Sequence, residues 1–434
     1  MTPRQRLALA LYSAAWAIAL PLAALYLLWR STAQREYRRH WAERFLGHGA
    51  SPPPGRPLIW LHAVSVGETR AAQPLIERLA RDLPQAAFLL THMTPTGRAV
   101  GQSIVAALPG RVVQRYLPYD VPFTVARFLR EVRPSLGVVM ETEVWPNLLH
   151  ATRRAGVPML LANARLSEKS SERGRRFAAL LKPAAAGFER IAAQSEVDRR
   201  RIAQWYDGPI DVTGNLKFDL SADEALVDAG RALRMAWGSR PVWLFASTRD
   251  GEEALVLEAW ARHRGKFDSD PNLLIVPRHP QRFDEVAALI EGQGLACLRR
   301  SQGPWPADVP AGAVLLGDTM GEMALYYAAA DVALIGGSLR DFGAQNLIEA
   351  CAVGTPVVLG PSTFNFAQAA ADAIGSGAAL QVRDADEALA AMAALSQDRD
   401  RLERMRAAAR AFAAAHRGAT ARIAAIAREL LPPG

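Results

Sequence analysis

Short continuous apolar runs and segments of helical periodicity take turns along this chain. Leu58–His62 is the first such run after residue 50, and Ala71–Leu83 carries apolar residues at helical spacing, Leu75, Ile76, Leu79 and Leu83. The same alternation predicts strands at Ala87–Thr91, Val112–Leu117, Leu136–Glu141, Pro158–Ala162, Arg190–Gln194 and Ile210–Thr213. Amphipathic segments separate them at Val121–Val132, Leu148–Ala155, Ser171–Ala185 and Asp198–Trp205. Leu220–Ser239 is polar and reads as a helical connector. A second series follows, with strands at Val242–Ala246, Leu273–Val276, Ala313–Leu316, Val332–Ile335 and Pro356–Leu359. Its helices include Gly251–Arg262, Arg282–Gln293, Met320–Ala330 and Asn346–Val353, and the chain from Ala385 is helical and rich in Ala and Arg. Such alternation predicts an α/β protein with parallel sheets covered by helices on both faces. With 434 residues, two domains are expected. Their expected limits are a leading segment 1–50, a first domain 51–219, a connector 220–240 and a second domain 241–434, with the strand ends of both domains converging on a cleft.

The leading segment has a different pattern. Leu7–Trp29 contains no charged residue. Its ~23 residues make a helix of about 34 Å, enough to cross a bilayer core with some tilt. Arg4 and Arg6 precede it, and Arg30, Arg35, Arg38, Arg39 and Arg44 follow. The heavier positive flank places the body on the cytoplasmic side. A helix lying in the membrane surface would instead show a polar stripe, and none is evident in the sequence.

Net charge is +8, which suits anionic partners. The two cysteines, Cys297 and Cys351, have no metal-ligand spacing and argue against a disulfide scaffold and a zinc site. No G-x-G-x-x-G follows the first strand and no Walker loop occurs, which disfavours a dinucleotide oxidoreductase and a P-loop enzyme. Two Asp-x-Asp triplets, Asp268–Asp270 and Asp384–Asp386, do not follow apolar strands as a metal-binding triplet should.

Candidate chemistry sits in the turns after strands, where open α/β sheets bind ligands. Glu68 lies beside the first turn of the helix after Leu58–His62. A carboxylate there is either a general base or a favourable helix N-terminal charge. In the second half, Ser247–Glu253, Pro277-Arg278-His279-Pro280 and Gly336-Gly337-Ser338 each follow a strand. Hydroxyls, an arginine and a Gly-Gly turn at one sheet edge point to a bound phosphate. Gly317–Glu322 offers backbone amides at another loop. Asn346 and Glu349 either cap the next helix or hold a ribose diol.

The segments HAVSVGE (62–68), THMTPTG (91–97), YLPYD (116–120), METEVWPN (140–147) and NARLS (163–167) come in order, followed by TGNLKFD (213–219), VPRHPQRF (276–283), GDTMGE (317–322) and NLIEA (346–350). Together they resemble the bacterial 3-deoxy-D-manno-octulosonic acid (Kdo) transferases over nearly the whole chain. The resemblance implies a GT-B glycosyltransferase with two Rossmann-like domains, the second binding CMP-Kdo and the first facing a phosphorylated, acylated lipid A precursor in the inner membrane. It implies an inverting transfer with Glu68 as general base and Glu141 and Lys217 as supporting catalytic residues. Arg278, His279, Met320, Gly321, Glu322, Asn346, Leu347, Ile348 and Glu349 would hold CMP-Kdo, together with Gly337 and Ser338 of the phosphate loop. It implies no cofactor, no metal and no nucleic-acid partner. The competing readings are another GT-B transferase using a UDP-sugar, a nucleotide-sugar epimerase, and a tethered binding protein. The chain departs from the family pattern in four places. Gly343-Ala344-Gln345-Asn346 replaces Gly-Gly-His-Asn, Ala350-Cys351 replaces Pro-Ala, Arg249 replaces a histidine, and Thr91-His92-Met93 replaces Thr-Thr-Met.

Overall fold

The computed structural model describes every residue of the chain except Gly55, Leu220, Ser221, Asp268, Ser269, Pro433 and Gly434. The chain forms two compact units, Met1–Asp219 with Arg417–Gly434, and Leu220–His416.

The first unit is built on β1 (Leu58–His62), β2 (Ala87–His92), β3 (Val112–Tyr116), β4 (Leu136–Met140), β5 (Met159–Ala164), β6 (Arg190–Ala193) and β7 (Ile210–Val212). All pairs are parallel, in the order β3-β2-β1-β4-β5-β6-β7. Strand order reverses between β1 and β4, and the crevice of a doubly wound sheet opens at that point. β1 is fully buried because helices cover both faces, so it shows a continuous apolar run rather than an alternation.

The second unit repeats the plan with β8 (Val242–Thr248), β9 (Asn272–Pro277), β10 (Cys297–Arg299), β11 (Val314–Leu316), β12 (Val332–Ile335), β13 (Val357–Leu359) and β14 (Ala379–Gln381). Its order is β10-β11-β9-β8-β12-β13-β14, with the reversal between β8 and β12. The expected connector belongs to this unit. Its helix Glu224–Ala236 packs on helix Met323–Ala329, and at Gly230 an added Cβ would lie 2.8 Å from the Ala328 side chain.

The expected second domain of 241–434 needs a correction at its end. Helix Ala419–Glu429 packs in the first unit, where Ile423, Ala424 and Ala427 join the core of Leu75, Ile76 and Leu79. Its start is fixed by Asp219, whose carboxylate accepts from Gly418 N–H at 2.6 Å and from Thr420 N–H. Arg422 Nε donates to Thr213 O at 2.8 Å. The end of the chain thus clamps the segment that carries Lys217.

Helix Pro3–Ala33 also belongs to the first unit. It is long and apolar enough to cross a membrane by length and composition.

Candidate functional site

Glu68 stands at the start of helix Val66–Asp82, directly after β1. Ser65 caps that helix. The Glu68 carboxylate accepts from Val64 N–H at 2.6 Å and from the Ser65 hydroxyl at 3.2 Å. Those bonds and the helix N-terminus favour the charged form. Burial and the nearby Glu141 charge outweigh them and push the carboxyl up to about 7. The group therefore caps its helix and also titrates where a base operates.

Glu141 follows β4, across the reversal point from Glu68. It adopts φ 58°, a left-handed conformation that is uncommon for a residue with a side chain. Its carboxylate pairs with Lys217 Nζ at 3.2 Å, with both side chains mostly buried. Lys217 sits in a 3-10 turn, Leu216–Asp219, held from two sides. Asn163, at the end of β5 and also left-handed at φ 55°, accepts from Leu216 N–H at 3.0 Å. Asp219 caps the C-terminal helix. The structure thus brings Glu68, Glu141 and Lys217, far apart in sequence, to the carboxyl edge of one sheet.

Glu143 was not singled out by sequence. It accepts from Trp145 Nε1 at 2.8 Å, and burial raises its pKa, with a further contribution from Glu141. Trp145 packs edge-on against His62, ring centroids 6.0 Å apart. His62 is fully buried, with Nδ1 2.9 Å from the Thr91 hydroxyl, and burial lowers its pKa to about 3. It is a neutral support beneath the loops.

In the second unit, Arg278 follows β9 and donates from Nε to Gln345 Oε1 at 3.2 Å. Gln345, one of the expected departures from the family pattern, thus contacts Arg278 directly. His279 is exposed, and its pKa is lowered by partial burial and by the charges of Arg249, Arg278 and Arg282. Arg249 and Arg278 bring positive charge to this edge, while Arg282 is paired with the buried Glu253 at 2.8 Å. Asn346 Nδ2 donates to Glu349 Oε1 at 2.9 Å, and its Oδ1 accepts from Ile348 N–H at 3.1 Å, one residue ahead of Leu347, the N-cap of helix Ile348–Val353. The helix starts two residues later than the sequence pattern suggests.

Other expected binding residues face inward. Ser338 is fully buried and accepts from Gly360 N–H at 2.9 Å while donating to Ile335 O. Leu347 and Ile348 are core side chains. Glu322 pairs with Arg300 at 2.8 Å and with Thr319 and Tyr326. These contacts shape the loops that carry them. Met320 is exposed, and Gly321 and Gly337 have φ 90° and 72°. Of the Asp-x-Asp triplets, Asp384 caps a helix and Asp386 pairs with Arg262 and His263 at 2.8 Å. Asp268 lies outside the described residues.

Glu252 organises this edge and was also not singled out. Its buried carboxylate accepts from Arg249 N–H at 2.8 Å, Gly337 N–H at 2.5 Å and Leu339 N–H at 2.9 Å. It ties the loop after β8 to the loop after β12, across the reversal point. An unpaired buried N–H costs roughly 1–3 kcal/mol. Glu252→Ala is therefore expected to destabilise the protein by about 3 kcal/mol or more. An urea unfolding midpoint equal to that of the parent would contradict it. Ala344 is buried at φ 62°. A left-handed alanine costs roughly 1–2 kcal/mol, partly offset by the unfolded-state entropy that glycine adds. Ala344→Gly is expected to raise thermal stability slightly, and a fall in Tm would contradict the strain.

Residues 39–220 match the family model described as 3-Deoxy-D-manno-octulosonic-acid transferase (kdotransferase), and residues 310–412 match Glycosyl transferases group 1. The 3-deoxy-D-manno-octulosonic acid transferase of Bordetella pertussis is 48% identical over 92% of this chain and 95% of that protein. The enzyme of the same name from Haemophilus influenzae is 37% identical over 91% and 92%. Among solved structures, a glycosyltransferase from Rickettsia africae ESF-5 is similar in fold, with TM-score 0.59 at 13% identity, covering 87% of this chain and all of that one. UDP-GlcNAc 2-epimerase from Neisseria meningitidis has TM-score 0.55 at 14% identity, covering 86% and 99%. The two parallel-sheet units are those of a GT-B glycosyltransferase, and the extent of the identity shows that the chain belongs to the 3-deoxy-D-manno-octulosonic acid transferase family.

Proposed function

We propose that this enzyme moves Kdo from CMP-Kdo to a sugar hydroxyl of a phosphorylated lipid A precursor, at the cytoplasmic side of a bacterial inner membrane, in lipopolysaccharide synthesis. The observation that carries the reading is Glu68, with a carboxyl titrating at about 7 beside the Glu141–Lys217 pair. Glu68 takes the proton of the acceptor hydroxyl. The oxygen forms a bond to the anomeric carbon as the bond from that carbon to the CMP phosphate breaks. The electron pair leaves with CMP, and the configuration inverts. Glu141 holds Lys217 in place, and Lys217 offsets negative charge that develops at the leaving phosphate. Arg278 and His279 face the anionic part of the donor. Asn346 and Glu349 hold the ribose, and Met320, Gly321 and Gly337 contribute backbone contacts. Ser338, Leu347, Ile348 and Glu322 support those loops.

Incubation of the purified enzyme with labelled CMP-Kdo or a labelled UDP-sugar, with and without lipid acceptor, tests the reading. Label is expected in lipid only with CMP-Kdo and acceptor together. Transfer from the UDP-sugar alone would overturn the donor assignment.

A further inference from the structure

Helix Pro3–Ala33 does not stand away from the body. Its less exposed positions form one row: Ala8, Leu9, Tyr12, Ser13, Trp16, Ala19, Leu20, Ala23, Ala24, Leu27 and Ser31. That spacing is a single helical face along the whole run. Three polar or aromatic contacts fix it near one end. The Ser13 hydroxyl donates to Asn147 Oδ1 at 2.8 Å, Tyr12 bonds the buried Asp120, and Trp16 lies 5.5 Å from the Tyr119 ring. The other end is covered by the segment that follows the helix. Leu27 and Ser31 are buried, and Arg38 Nε donates to Ser31 Oγ at 2.8 Å. The chain then returns to the same place, with Phe45 5.1 Å from Tyr119 and Tyr119 N–H donating to Arg44 O at 2.9 Å. Tyr119 is thus gripped by the helix and by the segment that follows it.

This geometry is incompatible with a bilayer crossing. With Trp16 on the body, the apolar residues left before Arg30 span about 20 Å, short of a hydrocarbon core of about 30 Å. The opposite face is apolar throughout. Leu7, Leu11, Ile18, Leu22, Leu25 and Trp29 are each more than half exposed. Phe123 and Phe177, beside the docking elements, are exposed as well. Arg4 and Arg6 at one end and Arg30, Arg35, Arg38 and Arg39 at the other are exposed. A spanning helix would send one of these groups to the far side of the membrane. An in-plane helix leaves both at one set of anionic headgroups. Tyr119, Asp120 and Asn147 follow β3 and β4, so the helix lies at the carboxyl edge of the sheet that also carries Glu68 and Glu141.

We infer that the N-terminal helix is an in-plane membrane element, docked on the first unit along one face and inserted by the other into the interface of an anionic phospholipid bilayer. It holds the lipid surface at the sheet edge that carries Glu68. On this reading the helix lies in the interface, the alternative to the spanning anchor expected from the sequence. The polar stripe was hidden because it consists of Tyr12, Ser13 and Trp16 among alanines, and none of these is charged. The inference rests on the reading of a lipid acceptor, and its test is independent of turnover.

The experiment uses the full chain with Cys297→Ser and Cys351→Ala. Single cysteines replace Leu7, Leu11, Ile18, Leu22, Leu25 or Trp29, each carrying an environment-sensitive fluorophore. The proteins are bound to phosphatidylethanolamine–phosphatidylglycerol vesicles containing lipids quenched at known depths. All six labels are expected at one shallow depth, about 5–10 Å below the headgroups. A depth that rises to a maximum at Ile18 and falls again would restore the spanning helix and overturn the proposal. Burial of the labels without vesicles, with a doubled mass in light scattering, would assign the face to a second copy and overturn it too. Absence of vesicle binding would do the same. Kdo transfer to detergent-dispersed acceptor is measured on each labelled protein. Its loss beside a uniform depth would count against the catalytic reading and leave the helix assignment standing.

Discussion

Glu68→Gln is expected to lower the rate of Kdo transfer by about two to four orders of magnitude, the usual worth of a general base. CMP affinity should stay unchanged, because Glu68 lies in the first unit and the nucleotide is assigned to the second. Glutamine keeps an acceptor for the Val64 N–H, so the helix start survives. In the parent enzyme the base must be ionised. Transfer should therefore rise with pH up to about 7 and level off above it. The same shift fixes a stability slope. Between the ordinary value of 4.5 and about 7, the folded chain holds a proton that the unfolded chain has lost. Stability therefore falls as pH rises through that window, and Glu68→Gln removes this contribution. A variant that keeps more than about a tenth of the parent rate, or a pH profile without the acid limb, would exclude Glu68 as the base.

Arg278→Ala is expected to weaken CMP binding by about ten- to more than a hundredfold, the worth of a charge-assisted hydrogen bond of roughly 1.5–3 kcal/mol. Glu349→Ala should also weaken it, by less, since Glu349 is already bonded to Asn346. Neither change should alter binding of the lipid acceptor. Calorimetric titration with CMP reads both. Unchanged affinity in both variants would move the nucleotide away from the β9 and β12 edges and overturn the donor assignment.

Much of this architecture was legible in the sequence because buried parallel strands are unbroken apolar runs. β1 and β12 end where the pattern ends. What escaped has physical causes. β10 and β14 are three-residue edge strands, too short to show a period. Helix Pro95–Ala107 was missed because its buried face is built partly of glycine. At Gly101 an added Cβ would lie 2.7 Å from His92 Nε2, so the close approach excludes the larger side chains that mark a helix. The single segment Ser171–Ala185 is two helices, Glu168–Arg175 and Ala178–Ala185. The return of Ala419–Glu429 to the first unit is a long-range contact, and no local pattern encodes it.

The site divides along the same line. Glu68, Glu141 and Arg278 were visible because each ends a strand-to-loop motif. The Glu141–Lys217 pair depends on Asn163, Asp219 and the last helix of the chain, which sequence spacing cannot bring together. Glu252 was hidden in the opposite sense. An acidic residue in a first helical turn is commonplace, and only its three backbone partners reveal that it joins two loops. Glu43 belongs to the same class. It is buried, pairs with Arg98 at 2.6 Å and accepts from Tyr116 N–H at 2.7 Å, securing the segment after the N-terminal helix to β3.

The proposed function is transfer of Kdo from CMP-Kdo to a lipid A precursor. Mass spectrometry of the lipid recovered from purified enzyme, CMP-Kdo and a phosphorylated, acylated disaccharide tests it most directly. A lipid heavier by one or more Kdo residues is expected, with CMP released in matching amount, and Glu68→Gln should give about a hundredth of that product or less in the same time. An unmodified lipid in the presence of active, folded enzyme and CMP-Kdo, or addition of a hexose from a UDP-sugar instead, would contradict it.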